Sequence, residues 1–272
     1  MRLTRFCLVF LALLATTAQA HEFWLEPRAF QVDSDETLEA DLRNGENFKG
    51  ISLSFFENRF TRFEMVMGDR VTPITGRMGD SPALRAEGVG QDGLLVILHE
   101  TTPSLLKYAK WEKFQKFAAH KDFATAEADH LAAGWPQEGF RERYTRHAKA
   151  LVAVGNGTGQ DQAFGLQTEF VAQTNPYAAD FEGTMVVALF EEGQPRGDAQ
   201  VEVFERAPDG TVDVTLHRTD ADGVARVKVT AGHDYLFDAV VLRPAPADPD
   251  DPRAPVWLTH WAALTFHVPG PQ

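Results

Sequence analysis

The sequence predicts a mainly β protein: two β-sandwich units with a small helical insert. Three observations carry this. Apolar and polar residues alternate through most of the chain, clusters of Gly and Pro recur between those runs, and one stretch only changes to helical spacing. At 272 residues the chain is long enough for two compact domains.

Residues 1–20 read as a cleavable secretory signal. Arg2 and Arg5 give a basic start, an apolar run follows from Phe6 to Leu14, and Ala18-Gln19-Ala20 is a small-x-small cleavage site. The apolar run is too short to span a bilayer. Export to the periplasm is therefore expected, with His21 as the first residue of the mature chain and no insertion in the membrane.

Residues 21–154 read as an amino-terminal β domain. Leu38, Ala40 and Leu42 alternate with charged residues, and Ile51, Leu53 and Phe55 do the same with Ser and Phe. Residues 64–71 and 94–99 are further short strands, separated by Gly45, Gly50, Pro73, Gly76 and Pro82. A helical segment is expected over 101–154. Trp111, Phe114 and Phe117 fall at helical spacing, with Lys110, Lys113 and Lys116 opposite. Residues 122–133 are alanine-rich, and Gly134-Trp135-Pro136 ends that helix. Residues 140–152 are expected to form a third helix, with Tyr144, Ala148 and Leu151 as its apolar stripe.

A Gly-rich polar linker follows, and residues 165–269 return to strands as a carboxy-terminal sandwich. Gly193-Gln194-Pro195-Arg196-Gly197 and Thr219-Asp220-Ala221-Asp222-Gly223 are turn signals between strands. Together with the alternation around them they resemble the Ig-like, transthyretin-like sandwich of carboxypeptidase regulatory modules. That resemblance implies a fold and no activity. Asp220 and Asp222 lack the rest of a calcium loop and read as a β-turn. Asp248, Asp250 and Asp251 read as a solvated acidic loop.

The formal charge is −13, and loss of Arg2 and Arg5 with the signal takes it to −15. Such a surface repels nucleic acid and anionic lipid. The single cysteine, Cys7, lies in the signal, so a mature chain starting at His21 has no disulfide, thiolate ligand or cysteine nucleophile. No nucleophile elbow, phosphate loop, HExxH or dinucleotide fingerprint occurs, and no enzyme activity is expected.

Histidine carries the candidate chemistry. A first-residue His21 offers an α-amine and an imidazole nitrogen, a chelating pair for a borderline transition metal. The nine histidines show no tight ligand spacing, so any site is assembled by the fold. His99 and His260 sit at strand ends and are the expected metal-ligating partners of His21. Glu22 and Glu26 are candidates for a hard ligand or an outer-shell support. The other six have bland readings: His120, His130 and His147 on helix faces, His217 and His267 at strand ends, His233 in a turn.

The segment His21-Glu22-Phe23-Trp24-Leu25-Glu26-Pro27 resembles the mature start of a bacterial exported family. Gly45-Glu46-Asn47-Phe48-Lys49-Gly50, Trp111-Glu112-Lys113-Phe114, Arg141-Glu142-Arg143-Tyr144, Ala148-Lys149-Ala150-Leu151 and Trp261-Ala262-Ala263-Leu264-Thr265-Phe266 match that family in order. It is a family of unknown function, also labelled the periplasmic component of a cobalt/nickel uptake system. The resemblance implies periplasmic handling of nickel or cobalt beside a membrane transporter. The expected function is a binding or accessory protein for such a divalent ion. Two rivals stand beside it: a copper-dependent oxidase built on the same first-residue histidine, and a metal-free Ig-like interaction module of the envelope. Imidazole and amine donors accept nickel, cobalt, copper and zinc alike.

Overall fold

Alternating residues become strands in the order β1 (Glu22–Pro27), β2 (Gln31–Val32), β3 (Thr37–Glu46), β4 (Lys49–Leu53), β5 (Phe60–Met67), β6 (Arg70–Pro73), β7 (Leu84–Glu87), β8 (Gly93–Thr101) and β9 (Ser104–Lys107). Helices α1 (Trp111–His120) and α2 (Ala126–Ala132) interrupt them. The chain continues as β10 (Arg141–Val154), β11 (Thr168–Ala172), β12 (Thr184–Glu191), β13 (Gln194–Pro195), β14 (Gln200–Arg206), β15 (Val212–Arg218), β16 (Val224–Lys228), β17 (Asp234–Pro244) and β18 (Trp257–His267). The computed structural model describes residues 21–248, 250–251 and 253–270. The expected signal segment lies outside them.

The protein is mainly β, as its alternation predicts, and its strands form three sheets. The first has the order β1-β3-β4, with β7 also paired to β3. The second has ten strands in the order β15-β14-β17-β18-β10-β8-β5-β6, with β2 and β9 also paired to β10. The third has the order β11-β12-β13, with β16 also paired to β12. The ten-stranded sheet is shared by both halves of the chain, because β10 pairs in parallel with β18 and antiparallel with β8.

Strand periodicity makes this sheet a middle layer. Phe204, Leu236 and Ala263 join the core beneath the first sheet, with Trp24, Leu38 and Leu84. Their chain neighbours Val203, Phe237 and Leu264 join the core beneath the third sheet, with Phe170, Val187 and Leu189. Adjacent residues thus face opposite layers, as a pleated strand requires. Val240, Trp257 and Trp261 are in phase with Leu236 and Ala263, and they carry the helices. The first sheet and the helical layer therefore lie side by side on one face of the middle sheet.

Helix α1 forms as its spacing predicts. Phe114, Phe117 and Ala118 are buried, while Lys110, Lys113 and Lys116 face water. Phe114 stacks on Trp257 at 5.6 Å and Phe117 on Trp261 at 5.9 Å between ring centroids.

The expected helix over 140–152 is corrected: the segment is β10, the strand that joins both halves of the middle sheet. Tyr144, Ala148 and Leu151 match a helical stripe, but Glu142, Tyr144, Arg146, Ala148, Ala150 and Val152 also alternate. The alternation is hidden because β10 is covered on both faces, so polar residues occur inward. Glu142, Thr145, His147 and Lys149 are all buried. The helical part of 101–154 is thus limited to α1 and α2. His147 moves with this correction onto a strand, and His130 on α2 is buried, its Nδ1 accepting from Trp257 Nε1 at 3.0 Å.

Candidate functional site

The amino-terminal strand β1 runs along the seam between the first sheet and the helical layer. Its position is set by the hairpin β3-β4. Asn47 and Phe48 have φ of 53° and 57°, the pair of left-handed residues that a tight two-residue hairpin needs. Gly45 and Gly50 stand opposite each other across that hairpin. A Cβ at Gly45 would lie 2.0 Å from the Lys49 carbonyl oxygen, and one at Gly50 2.4 Å from that of Asn44. Phe48 is buried edge-on to Trp24 at 5.5 Å, which offsets the strain of its backbone.

Because Glu22 pairs with Gly45, His21 arrives beside Glu46. His21 Nε2 is 3.6 Å from Glu46 Oε1, and the imidazole is 57% exposed. The His21 carbonyl accepts a hydrogen bond from Arg146 Nη1 at 2.6 Å. The same Nη1 reaches Asn44 Oδ1 at 3.3 Å. The Arg146 guanidinium lies 5.2 Å from the ring centroids of both Tyr144 and Trp261.

Behind this rim is a buried charge cluster. Lys121, the residue that follows α1, donates to Glu202 Oε2 at 2.5 Å and to Asp238 Oδ2 at 2.9 Å, and lies 4.0 Å from Glu22 Oε1. His120 Nε2 is 2.9 Å from the other oxygen of Glu202. Three carboxyl groups share one ammonium, and none of the four side chains is more than 5% exposed. Burial, reinforced by Asp238, pushes Glu22 up to about 8. Burial likewise raises Asp238. Burial would lower Lys121, but the surrounding carboxylates outweigh it and hold it above its ordinary value.

Two cavities flank the rim. One, about 410 Å³, is lined by Phe23, Phe60, His99, Arg59, Tyr144 and Arg146 among others. The other, about 330 Å³, is lined by His21, Lys107, Tyr108, Phe117, Tyr144 and Arg146 among others. Tyr144, Arg146 and Asn44 form the wall between them. A third cleft, about 470 Å³, lies elsewhere and is charged. Its charges answer one another: Glu26 meets Arg43 at 2.5 Å and Arg206 at 2.6 Å, and Asp234 meets Arg206 at 3.0 Å and His267 at 2.8 Å.

The three expected ligands do not converge. His21 is at the rim. His99 is buried, 2% exposed, with its ring 5.2 Å from Phe23, 5.4 Å from Phe60 and 5.0 Å from Phe63. His260 lies on β18, its ring 6.0 Å from that of His147. His147 and His260 are in phase with Leu151 and Leu264, so they face the third sheet. Among the described residues no three His, Cys, Asp or Glu side chains are grouped to hold a metal ion. Glu22 and Glu26 are likewise turned away from His21, into the buried cluster and the charged cleft. Sequence reasoning missed Glu46, Arg146 and Lys121. The GENFKG hairpin was the available signal for Glu46, since it folds β3 back to the start of β1.

Burial decides the state of the inner histidines. Desolvation, helped by His147, lowers His99 to about 3. Desolvation also lowers His147 to about 4, against the pull of the Trp261 carbonyl, which lies 3.1 Å from Nδ1. Both rings stay neutral in the folded protein, while in the unfolded chain they protonate below about 6.5. The unfolded state then binds more protons, so stability falls as pH drops from about 6.5 towards 4. At pH 5 each group is expected to cost about 2 kcal/mol relative to pH 7. His99→Phe removes one such group and should shrink the loss by about that amount. Urea denaturation at pH 7 and pH 5 checks this. Equal losses in the variant and the parent would contradict it.

Residues 18–243 match a family described as a domain of unknown function, DUF4198. No curated protein matches. Among solved structures, a tetra-tandem repeat in the extending region of a large adhesion protein is 12% identical, with a TM-score of 0.23 over 92% of this chain and 50% of that one. This chain therefore spans half the length of that neighbour. The D0-D1 domain of Intimin is also 12% identical, with a TM-score of 0.20 over 89% of this chain and 97% of that one.

Proposed function

The chain belongs to the DUF4198 family, and from that premise we propose that it is an exported binding protein for one divalent transition metal, nickel or cobalt. It would assist uptake beside a membrane transporter. The observation that carries this reading is His21 itself, exposed at the start of β1 with Glu46 3.6 Å from its Nε2. Cleavage after Ala20 would free an α-amine on the same residue. Amine and imidazole Nδ1 would then chelate the ion as two nitrogen donors, which suits these ions, while Glu46 on the Nε2 side would accept from the other ring nitrogen and orient the imidazole. His99 and His260 are left out of this set, since His99 is buried among Phe23, Phe60 and Phe63 and His260 lies on the opposite face of the middle sheet. The nickel or cobalt preference follows the family resemblance, because these donors would bind copper as well.

Calorimetric titration of nickel into protein that begins at His21 tests the reading. A Kd of about 1 μM or tighter, near −8 kcal/mol, is expected. One alanine added before His21 moves the amine away from the imidazole and should weaken binding about tenfold or more. Glu46→Gln should weaken it by a smaller factor. Affinity should fall with acidification, because metal binding at nitrogen donors releases protons. Equal affinities with and without the added alanine would refute the site. Redox turnover by copper-loaded protein would favour an oxidase instead.

A second reading, an envelope interaction module, has its own observation. The edge strand β15 exposes Val214 and Leu216, 44% and 63% accessible. An unpaired sheet edge with apolar side chains is a surface on which another chain can add.

A further inference from the structure

The cavity over His99 serves no role in the metal reading, and its chemistry differs. It is walled by aromatic rings from three places, Phe23 on β1, Phe60 on β5 and Tyr144 on β10. His99 lines it with both ring nitrogens lacking a hydrogen-bond partner among the described residues. A buried polar group without a partner costs about 1–3 kcal/mol, so its retention asks for an explanation. Two guanidinium groups, Arg59 and Arg146, line the same cavity. Neither makes an ion pair within 4 Å of a carboxylate among the described residues, although the chain carries 39 acidic against 26 basic residues. Arg146 instead spends its hydrogen bonds on the His21 carbonyl and Asn44.

We propose that this cavity binds a small organic anion, a carboxylate carried on a flat apolar body. The aromatic walls would receive the body, and Arg146 and Arg59 the carboxylate. Guanidinium is the group best matched to a carboxylate, because its parallel N–H donors meet both oxygens. His99 would give the bound molecule one further hydrogen bond, as donor or acceptor according to its tautomer. The carboxyl groups nearest Arg146 are turned to other partners: Glu142 accepts from Tyr108 at 2.7 Å and from Thr259, and Glu22 and Asp238 face Lys121. Burial also raises Glu142, Glu22 and Asp238 towards their neutral forms, which leaves more of the Arg146 charge for a ligand. A volume of about 410 Å³ accommodates a bicyclic acid. This inference is independent of metal binding at His21.

The test uses chelator-treated, metal-free protein beginning at His21, with 2-naphthoate as probe and 2-naphthamide as its uncharged counterpart, read by calorimetry. The naphthoate is expected to bind with Kd of roughly 0.1 mM or tighter, and the amide about tenfold more weakly. Arg146→Gln should weaken naphthoate binding about tenfold, and Arg59→Gln about threefold. Arg59 is exposed, so its variant decides the matter if loss of Arg146 disturbs folding. His99→Phe should weaken both probes alike. Any of three results overturns the proposal: no saturable binding at millimolar naphthoate, equal affinity for the amide, or unchanged binding in a folded Arg59→Gln protein. Nickel titration of the same sample, unaffected by any of these outcomes, keeps the two sites distinct.

Discussion

Lys121→Met is expected to destabilise the protein by about 3–5 kcal/mol. Among the described residues the ammonium is the one cation within 4 Å of Glu202, Asp238 and Glu22 that is itself buried, with 2% of its side chain exposed. Methionine keeps the length of the side chain and removes the charge. Glu202 would then keep only the partly exposed His120 at 2.9 Å, and buried Asp238 would have no cation within 4 Å among the described residues; its Oδ1 lacks a hydrogen-bond partner even in the parent. The penalty for an orphaned buried charge exceeds the worth of the pair itself. Acid should relieve part of it, because burial already raises Glu22 and Asp238 and protonation neutralises them. The loss measured by urea denaturation should therefore be smaller at pH 5 than at pH 8. Asp238→Asn combined with Lys121→Met should recover part of the stability, a coupling that a double-mutant cycle reads directly. A loss below about 1 kcal/mol would show that water reaches the cluster.

Lys149→Met is expected to cost a similar amount, about 3–5 kcal/mol, on the opposite face of β10. Lys149 Nζ donates to Asp161 Oδ2 at 2.8 Å, to the Gln162 carbonyl at 3.0 Å and to the Phe170 carbonyl at 2.9 Å, with Glu169 at 3.8 Å. It helps fasten the Gly-rich segment 155–165 to the middle sheet, beside the Leu94 amide, which donates to the Thr158 carbonyl at 2.7 Å, and Arg62, which donates to the Phe164 carbonyl at 2.9 Å. Asp161 also accepts from the Ala172 amide at 2.8 Å, and Glu169 accepts from the amides of Phe164 and Gly165. Loss of the cation leaves Asp161 buried without its counter-charge and frees two carbonyls. Limited proteolysis should then cut within 155–165, where the parent resists. Arg85→Gln is the control. Its ion pairs with Glu39 and Glu87 lie at the surface, where water screens them, so its removal should leave stability close to that of the parent. Equal effects of the two substitutions would mean that burial does not set the difference.

The sandwich layers and helix α1 were legible because their residues obey the period of their element. Leu38, Ala40 and Leu42 alternate along β3 and are buried. Trp111, Phe114 and Phe117 repeat at helical spacing and form α1. β10 was not legible, because a strand covered on both faces has no polar side. Its Glu142 and Lys149 point inward to Tyr108 and Asp161, and charge in the sequence reads as solvent until a partner is known. The candidate site divides in the same way. His21 stands out from its place after Ala20, whereas Arg146 and Lys121 carry no local signal.

By itself, then, the sequence determined the β-rich class, the strand breaks at Gly45 and Gly50, and the interest of His21, all matters of residue type and near neighbours. Tertiary structure alone decided that Glu46, 25 positions on, would lie beside His21, that His99 and His260 would be kept from it, and that Lys121 would meet Glu202 and Asp238 across 81 and 117 positions. The physical reason is the range of the forces. Periodicity and turn geometry act over a few residues, whereas the pairing of a buried charge depends on which distant strand brings its counter-charge within about 4 Å in a space that excludes water.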